Sequence, residues 1–127
     1  MSEAKAANGI RKVAFTMLPI TDATRARAFY EETLGLTAGL VGGNDKIHWI
    51  EFDLPGGGCL ALSNASGKPG ADGATVALEV EDLHGLIARL KTAGVAFKAE
   101  GIRGPHCEMA VCIDSEGNAL LLHQLDR

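Results

Sequence analysis

Asp114-Ser115-Glu116-Gly117-Asn118-Ala119-Leu120-Leu121-Leu122-His123-Gln124 is the clearest fold signal in the sequence. Four turn-forming residues, Asp114 to Gly117, open into an apolar run that ends in a histidine, as a hairpin feeding a buried strand does. A fainter copy lies earlier, Pro55-Gly56-Gly57-Gly58-Cys59-Leu60-Ala61-Leu62-Ser63, with Leu60-Ala61-Leu62 standing over Leu120-Leu121-Leu122 at an offset of 60. The same offset lays Leu18-Pro19-Ile20-Thr21-Asp22 over Leu78-Glu79-Val80-Glu81-Asp82, and an offset of 59 lays Thr33-Leu34-Gly35-Leu36 over Thr92-Ala93-Gly94-Val95. Matched punctuation at three points indicates an internal duplication.

Each copy reads strand–helix–strand–strand–strand. Lys12 to Ile20 is apolar on both alternations and reads as a buried strand. Thr21-Asp22 supplies a side-chain oxygen for the free N–H groups of a helix start, and Gly35 sits where a left-handed residue ends that helix. Its expected buried face is Ala26, Phe29, Tyr30, Thr33 and Leu34. Strands are expected over Leu36–Val41, Lys46–Leu54 and Cys59–Ser63, with turns at Gly42–Asp45 and Pro55–Gly58. In the second copy, Ala74–Val80 is a strand and Glu81-Asp82 opens a helix with Leu83, Leu86, Ile87 and Leu90 inward, ended by Gly94. Strands follow at Val95–Ile102, His106–Ile113 and Leu120–Gln124. The expected organisation is a flexible tail over 1–11, a first module over 12–63, a Gly/Ser/Pro-rich linker over 64–73 and a second module over 74–127, all within one structural domain.

Composition bounds the function. A net charge of −4, with no Lys/Arg cluster to offset it, gives no electrostatic footprint for nucleic acid. No apolar run reaches the length of a membrane span. Met1 to Asn8 is polar and Ala-rich, so no secretory signal is read there and the expected compartment is the cytoplasm. Three cysteines without framework spacing agree with that expectation and read as small buried hydrophobes.

A βαβββ unit present twice, with Phe29-Tyr30-Glu31-Glu32-Thr33-Leu34-Gly35-Leu36 ending the first helix and Asp114-Ser115-Glu116-Gly117-Asn118 opening the last hairpin, resembles the vicinal oxygen chelate superfamily. That group includes glyoxalase I, the bleomycin- and fosfomycin-resistance proteins and the extradiol dioxygenases. The resemblance spans about residues 12 to 124 and implies an α+β fold: paired modules making a cup-shaped eight-stranded mixed sheet with the helices outside. It implies a homodimer whose cups combine modules of two subunits. It also implies that enzymatic members hold a divalent metal on the first and fourth strand of each module. Carried onto this chain, those positions are Phe15, Ala61, Thr75 and Leu121. Phe, Ala and Leu donate nothing to a metal and one Thr hydroxyl is a weak ligand, so the family's metal site is not expected and no cofactor is called for.

Other residues have chemistry to weigh. If Asp114 to Gly117 is a four-residue loop, Ile113 pairs with Asn118 and Glu108 stands across from His123. His106, Glu108 and His123 would then converge as two imidazoles and a carboxylate, the donor set of an open-sided metal site. The same geometry also makes an ordinary cross-strand His–Glu bond, and a slip of one residue turns Glu108 to the other face. Glu79 is expected on the inner face as a polar anchor, and Trp49 shares a face with Glu51 and can stack on a planar ligand. His48 and His84 read as strand-surface and solvated histidines.

These readings favour a metal-independent protein that binds a hydrophobic or aromatic small molecule in the cup, lined by Phe15, Met17, Trp49, Ala61, Thr75, Ala77, Leu121 and His123, with Glu79 and Glu108 as anchors. The alternative is a glyoxalase-like lyase or isomerase, or a dioxygenase, with a displaced divalent metal at His106, Glu108 and His123.

Overall fold

The computed structural model describes Gly9 and residues 12–65, 67–72 and 74–127. The flexible tail expected over 1–11 lies outside the described residues except for Gly9. The element order is β1 (Thr16–Pro19), α1 (Ala23–Arg27) continued by a π-helical segment (Ala28–Thr33), β2 (Leu40–Gly43), β3 (His48–Asp53) and β4 (Cys59–Ser63). It then repeats as β5 (Val76–Glu79), α2 (Leu83–Thr92), β6 (Phe97–Arg103), β7 (Cys107–Ile113) and β8 (Ala119–Leu125).

Local chemistry fixes the helix ends. Asp22 Oδ1 accepts Arg25 N–H at 3.0 Å, and its repeat-mate Asp82 accepts Gly85 N–H at 3.0 Å. The first helix widens after Arg27, where Leu34 N–H reaches Phe29 O five residues back at 2.9 Å. Gly35 (φ 75°) and Gly94 (φ 84°) then turn the chain through left-handed conformations that an L side chain resists.

The eight strands form two mixed four-stranded sheets, one per repeat, in the orders β1-β4-β3-β2 and β5-β8-β7-β6. In each, the first and fourth strands run parallel and the remaining pairs antiparallel. β1 is shorter than the expected Lys12–Ile20 because β4 offers ladder partners only from Leu60 to Ser63. β2 starts later than the expected Leu36 and runs on to Gly43, past the expected Val41, where Asn44 closes the β2–β3 turn by accepting Lys46 and Ile47 N–H on its own side chain.

Strand alternation sends Leu18, Ile50, Phe52, Leu60 and Leu62 of the first sheet to one face, and Ala110, Cys112, Leu120 and Leu122 of the second to its counterpart. With Ala26, Phe29 and Tyr30 from the first helix and Leu83 and Leu90 from α2, these make one core shared by both repeats. Thr33, Leu34, Leu86 and Ile87 are half-buried at its border rather than fully enclosed. The other face of each sheet points away from this core.

The repeats are locked at one seam by the β7–β8 hairpin. Glu116 Oε1 accepts Thr21 N–H and Asp22 N–H, both at 2.9 Å, and Oε2 accepts Arg25 Nε–H at 2.6 Å. Asp114, itself buried, accepts the Tyr30 hydroxyl at 2.7 Å and the N–H groups of Glu116 and Asn118 at 2.8 Å. Asn118 Nδ2 donates to Pro19 O at 2.8 Å. The repeat-mate of Glu116 at the offset of 60 is Gly56, which has no side chain to make the equivalent lock.

That hairpin also corrects the expected register. Asp114 N–H bonds Asn118 O, leaving a three-residue loop of Ser115, Glu116 and Gly117 with Gly117 left-handed (φ 92°). Ile113 therefore pairs with Ala119, Glu108 with Gln124 and Met109 with His123.

Candidate functional site

The faces opposite the core, the open faces of the two sheets, carry most of the residues expected to line the site. On the first sheet Met17 pairs with Ala61, Glu51 with Ala61 from the other side, and Trp49 with Ser63. Trp49 is held in place: its Nε1–H donates to Glu51 Oε2 at 2.6 Å, and Phe15 meets its ring edge-to-face at a centroid distance of 5.3 Å. Phe15 is 43% exposed, whereas Ala61 has no exposed surface. Ala61 is therefore a floor beneath the face rather than a contact surface.

On the second sheet Ala77 pairs with Leu121 and Glu79 with His123. His123 Nδ1 lies 2.6 Å from Glu79 Oε1, and Leu125 N–H donates to Glu79 Oε2 at 2.9 Å. The Leu125 amide first, and His123 second, hold the Glu79 carboxyl below the usual carboxylate range. Leu121 sits between Ala77 and Val111 in an apolar row.

The expected trio of His106, Glu108 and His123 does not form. The register shift turns Glu108 to the helix side of its sheet, where His84 Nε2 lies 3.0 Å from its carboxylate, while His123 stays on the open face. Glu108 is thus no anchor for the open face, and His84 has a partner that helical position alone did not reveal. Among the described residues no group of three or more His, Cys, Asp or Glu side chains is placed to hold a metal ion. Nor do the four family positions fit one: Phe15, Ala61, Thr75 and Leu121 offer a single hydroxyl among them.

Of the three free cysteines, Cys112 is buried and Cys59 and Cys107 are half-buried. Burial, with the Asp114 charge behind it, pushes the Cys112 thiol up to about 11, away from nucleophilic chemistry.

Two cavities follow the free edges of β5 and β1 along the seam between the sheets. One, of about 700 Å³, is lined by Ala77 and Glu79 together with Leu54, Leu86 and Arg127. The other, of about 350 Å³, brings Met17 of the first repeat to Thr75 of the second. Tyr30 of the first helix stacks on Phe52 of β3 and bonds Asp114 just after β7, so the helix-side faces of both sheets meet in the shared core. The open faces, with Phe15 and Trp49 on one and Leu121 and His123 on the other, lie on its far sides.

Paired βαβββ units with a common helix-side core and two outward faces are the architecture of the glyoxalase and bleomycin-resistance fold. Residues 12–122 match the Glyoxalase/Bleomycin resistance protein/Dioxygenase superfamily, and the chain belongs to it. Among curated proteins, none matches the chain. Solved structures share the architecture. TnmS3, an antibiotic binding protein from Streptomyces sp. CB03234, is 24% identical with a TM-score of 0.75, over 92% of this chain and 98% of its own. The trypanothione-dependent glyoxalase I of Leishmania major is 25% identical with a TM-score of 0.72, over 92% and 87%. The fosfomycin resistance protein FosX of Listeria monocytogenes is 16% identical with a TM-score of 0.72, over 91% and 93%. No helix of the described residues is long and apolar enough to cross a membrane.

Proposed function

We propose that the chain binds a hydrophobic or aromatic small molecule without a metal, in a cup made from the first-repeat face of one copy and the second-repeat face of another. The observation that carries this reading is the pair of outward apolar faces. Phe15, Leu40 and Leu125 stand 43%, 54% and 55% exposed on them, and one chain cannot close them on each other because its core lies on their far sides. The donor-poor family positions support metal independence, and the antibiotic-binding role of TnmS3 is a use of the same fold that this reading parallels. The cytoplasm is the compartment this reading assigns, which three free thiols suit.

Sedimentation equilibrium at micromolar concentration is expected to return the mass of two chains, and a single-chain mass would overturn the two-copy cup. Trp49→Ala removes the largest rigid surface on the first face and is expected to weaken an aromatic ligand about tenfold or more. Unchanged affinity in a titration would remove that face from the site. Protein purified without chelators is expected to carry well below one metal per chain. Stoichiometric metal that disappears on His123→Ala would overturn the metal-free reading in favour of an enzyme.

A further inference from the structure

Among the described residues the two open faces share an acidic charge pattern. Their register-paired positions contain three carboxylates: Glu51 and Asp53 on the first face and Glu79 on the second. None of those paired positions on either face carries Lys or Arg. The helix side differs. There Arg103 forks onto Asp126 at 2.9 and 3.1 Å, and Arg25 and Arg27 ion-pair with Glu116 and Glu31. Among those paired positions only His123 can carry positive charge, and it is already bonded to Glu79; Arg127, just beyond β8, lies near Glu79 at the edge of the second face and donates to Glu81 O.

Placement makes the pattern selective. The Trp49–Glu51 bond sets a half-buried carboxylate at the edge of an indole whose orientation is fixed a second time by Phe15. An aromatic face attracts cations through its quadrupole, and a carboxylate beside it adds to that attraction where water is partly excluded. An anionic ligand would meet like charge there, and among the described residues no Lys or Arg bonds the Glu51 carboxylate to offset it.

Resting on the binding reading above, we propose that the cup selects a planar aromatic ligand carrying a positive charge, with the cation between the Trp49 face and the Glu51 carboxylate. Neutral aromatics bind the same face more weakly, and anionic ones are rejected.

Trp49 is the sole tryptophan, so its fluorescence reports the event directly. Three tricyclic probes of matched shape separate the possibilities: N-methylacridinium, neutral acridone and anthracene-9-carboxylate. The cation is expected to bind about tenfold or more tighter than acridone, with the carboxylate weaker still, and the cation's advantage is expected to shrink on raising salt from about 20 to 500 mM. Glu51→Gln keeps an acceptor for the Trp49 N–H but removes the charge, and is expected to reduce the cation-to-neutral affinity ratio by about tenfold. A thermal melt of this variant checks that it is folded. Equal binding of all three probes, or a preference for the carboxylate, overturns the charge selection while leaving the binding reading in place. Binding of none of the three overturns both.

Discussion

Asp114→Ala is expected to lower the unfolding free energy by about 4 kcal/mol, close to half the stability of an ordinary domain of this size. The carboxylate of Asp114 accepts four hydrogen bonds: from the Tyr30 hydroxyl, from Glu116 N–H and Asn118 N–H, and from Asn118 Nδ2 at 3.2 Å. Asp114, Asn118 and Tyr30 are all buried, so alanine strands donors that water cannot reach. A fall in melting temperature of about 15 °C is the corresponding shift for a chain of this length. Tyr30→Phe removes one partner and leaves the turn amides satisfied, so it is expected to cost only about 1 kcal/mol. Made in the Asp114→Ala background, Tyr30→Phe is expected to be close to neutral, because its partner is already gone. If the tyrosine change costs the same in both backgrounds, the bond across the seam contributes nothing, and the large effect must come from the turn alone.

The same residues mark what the sequence disclosed and what it withheld. The duplication was legible because glycines at helix ends and apolar triplets in paired strands are local signals, and Asp22, Gly35 and Gly94 do what their positions imply. Which face each residue of the first sheet takes also followed from alternation, and Met17, Trp49 and Ala61 share one as expected. The last hairpin was misread by one residue. Asp-Ser-Glu-Gly suits either a four-residue loop or a three-residue loop whose glycine is left-handed, and the choice rests on the Asp114 side chain reaching the amides of Glu116 and Asn118. That single step moved Glu108 to the opposite face and dissolved the proposed His106–Glu108–His123 site. The role of Glu116 was out of reach for another reason. Its partners Thr21, Asp22 and Arg25 lie more than ninety residues away, and no periodicity links them. A long-range lock leaves a signal in the sequence only as a difference between repeats, Glu116 against Gly56, and that contrast acquires meaning once the two halves are seen to touch.

The lock predicts an acid-sensitive seam. Burial by itself would raise the Glu116 pKa, but Arg25, the amides of Asp22 and Thr21, and the Ser115 hydroxyl outweigh it and hold the carboxyl at about 2, against 4.5 when unfolded. A folded pKa below the unfolded one means that the unfolded chain takes up the proton first, so stability falls as pH falls. The contribution is present in full above about pH 4.5 and is lost progressively as pH drops from there towards 2. The shift corresponds to about 3 kcal/mol, and solvent screening of the half-exposed Arg25 reduces it to about 2 kcal/mol. Glu116→Gln keeps the shape and loses the charge. Urea unfolding at pH 6 is expected to find this variant less stable than the parent by about 2 kcal/mol, a gap that narrows to about 0.5 kcal/mol by about pH 2.5 and closes only below about pH 2, where the parent's own carboxyl protonates. Tyr30 cannot produce this profile, since burial first and Asp114 second hold its phenol far above the usual range. A gap that stays constant from pH 6 to pH 2.5 would mean that Glu116 acts through its shape rather than its charge, and the seam would then have to be read as a packing contact.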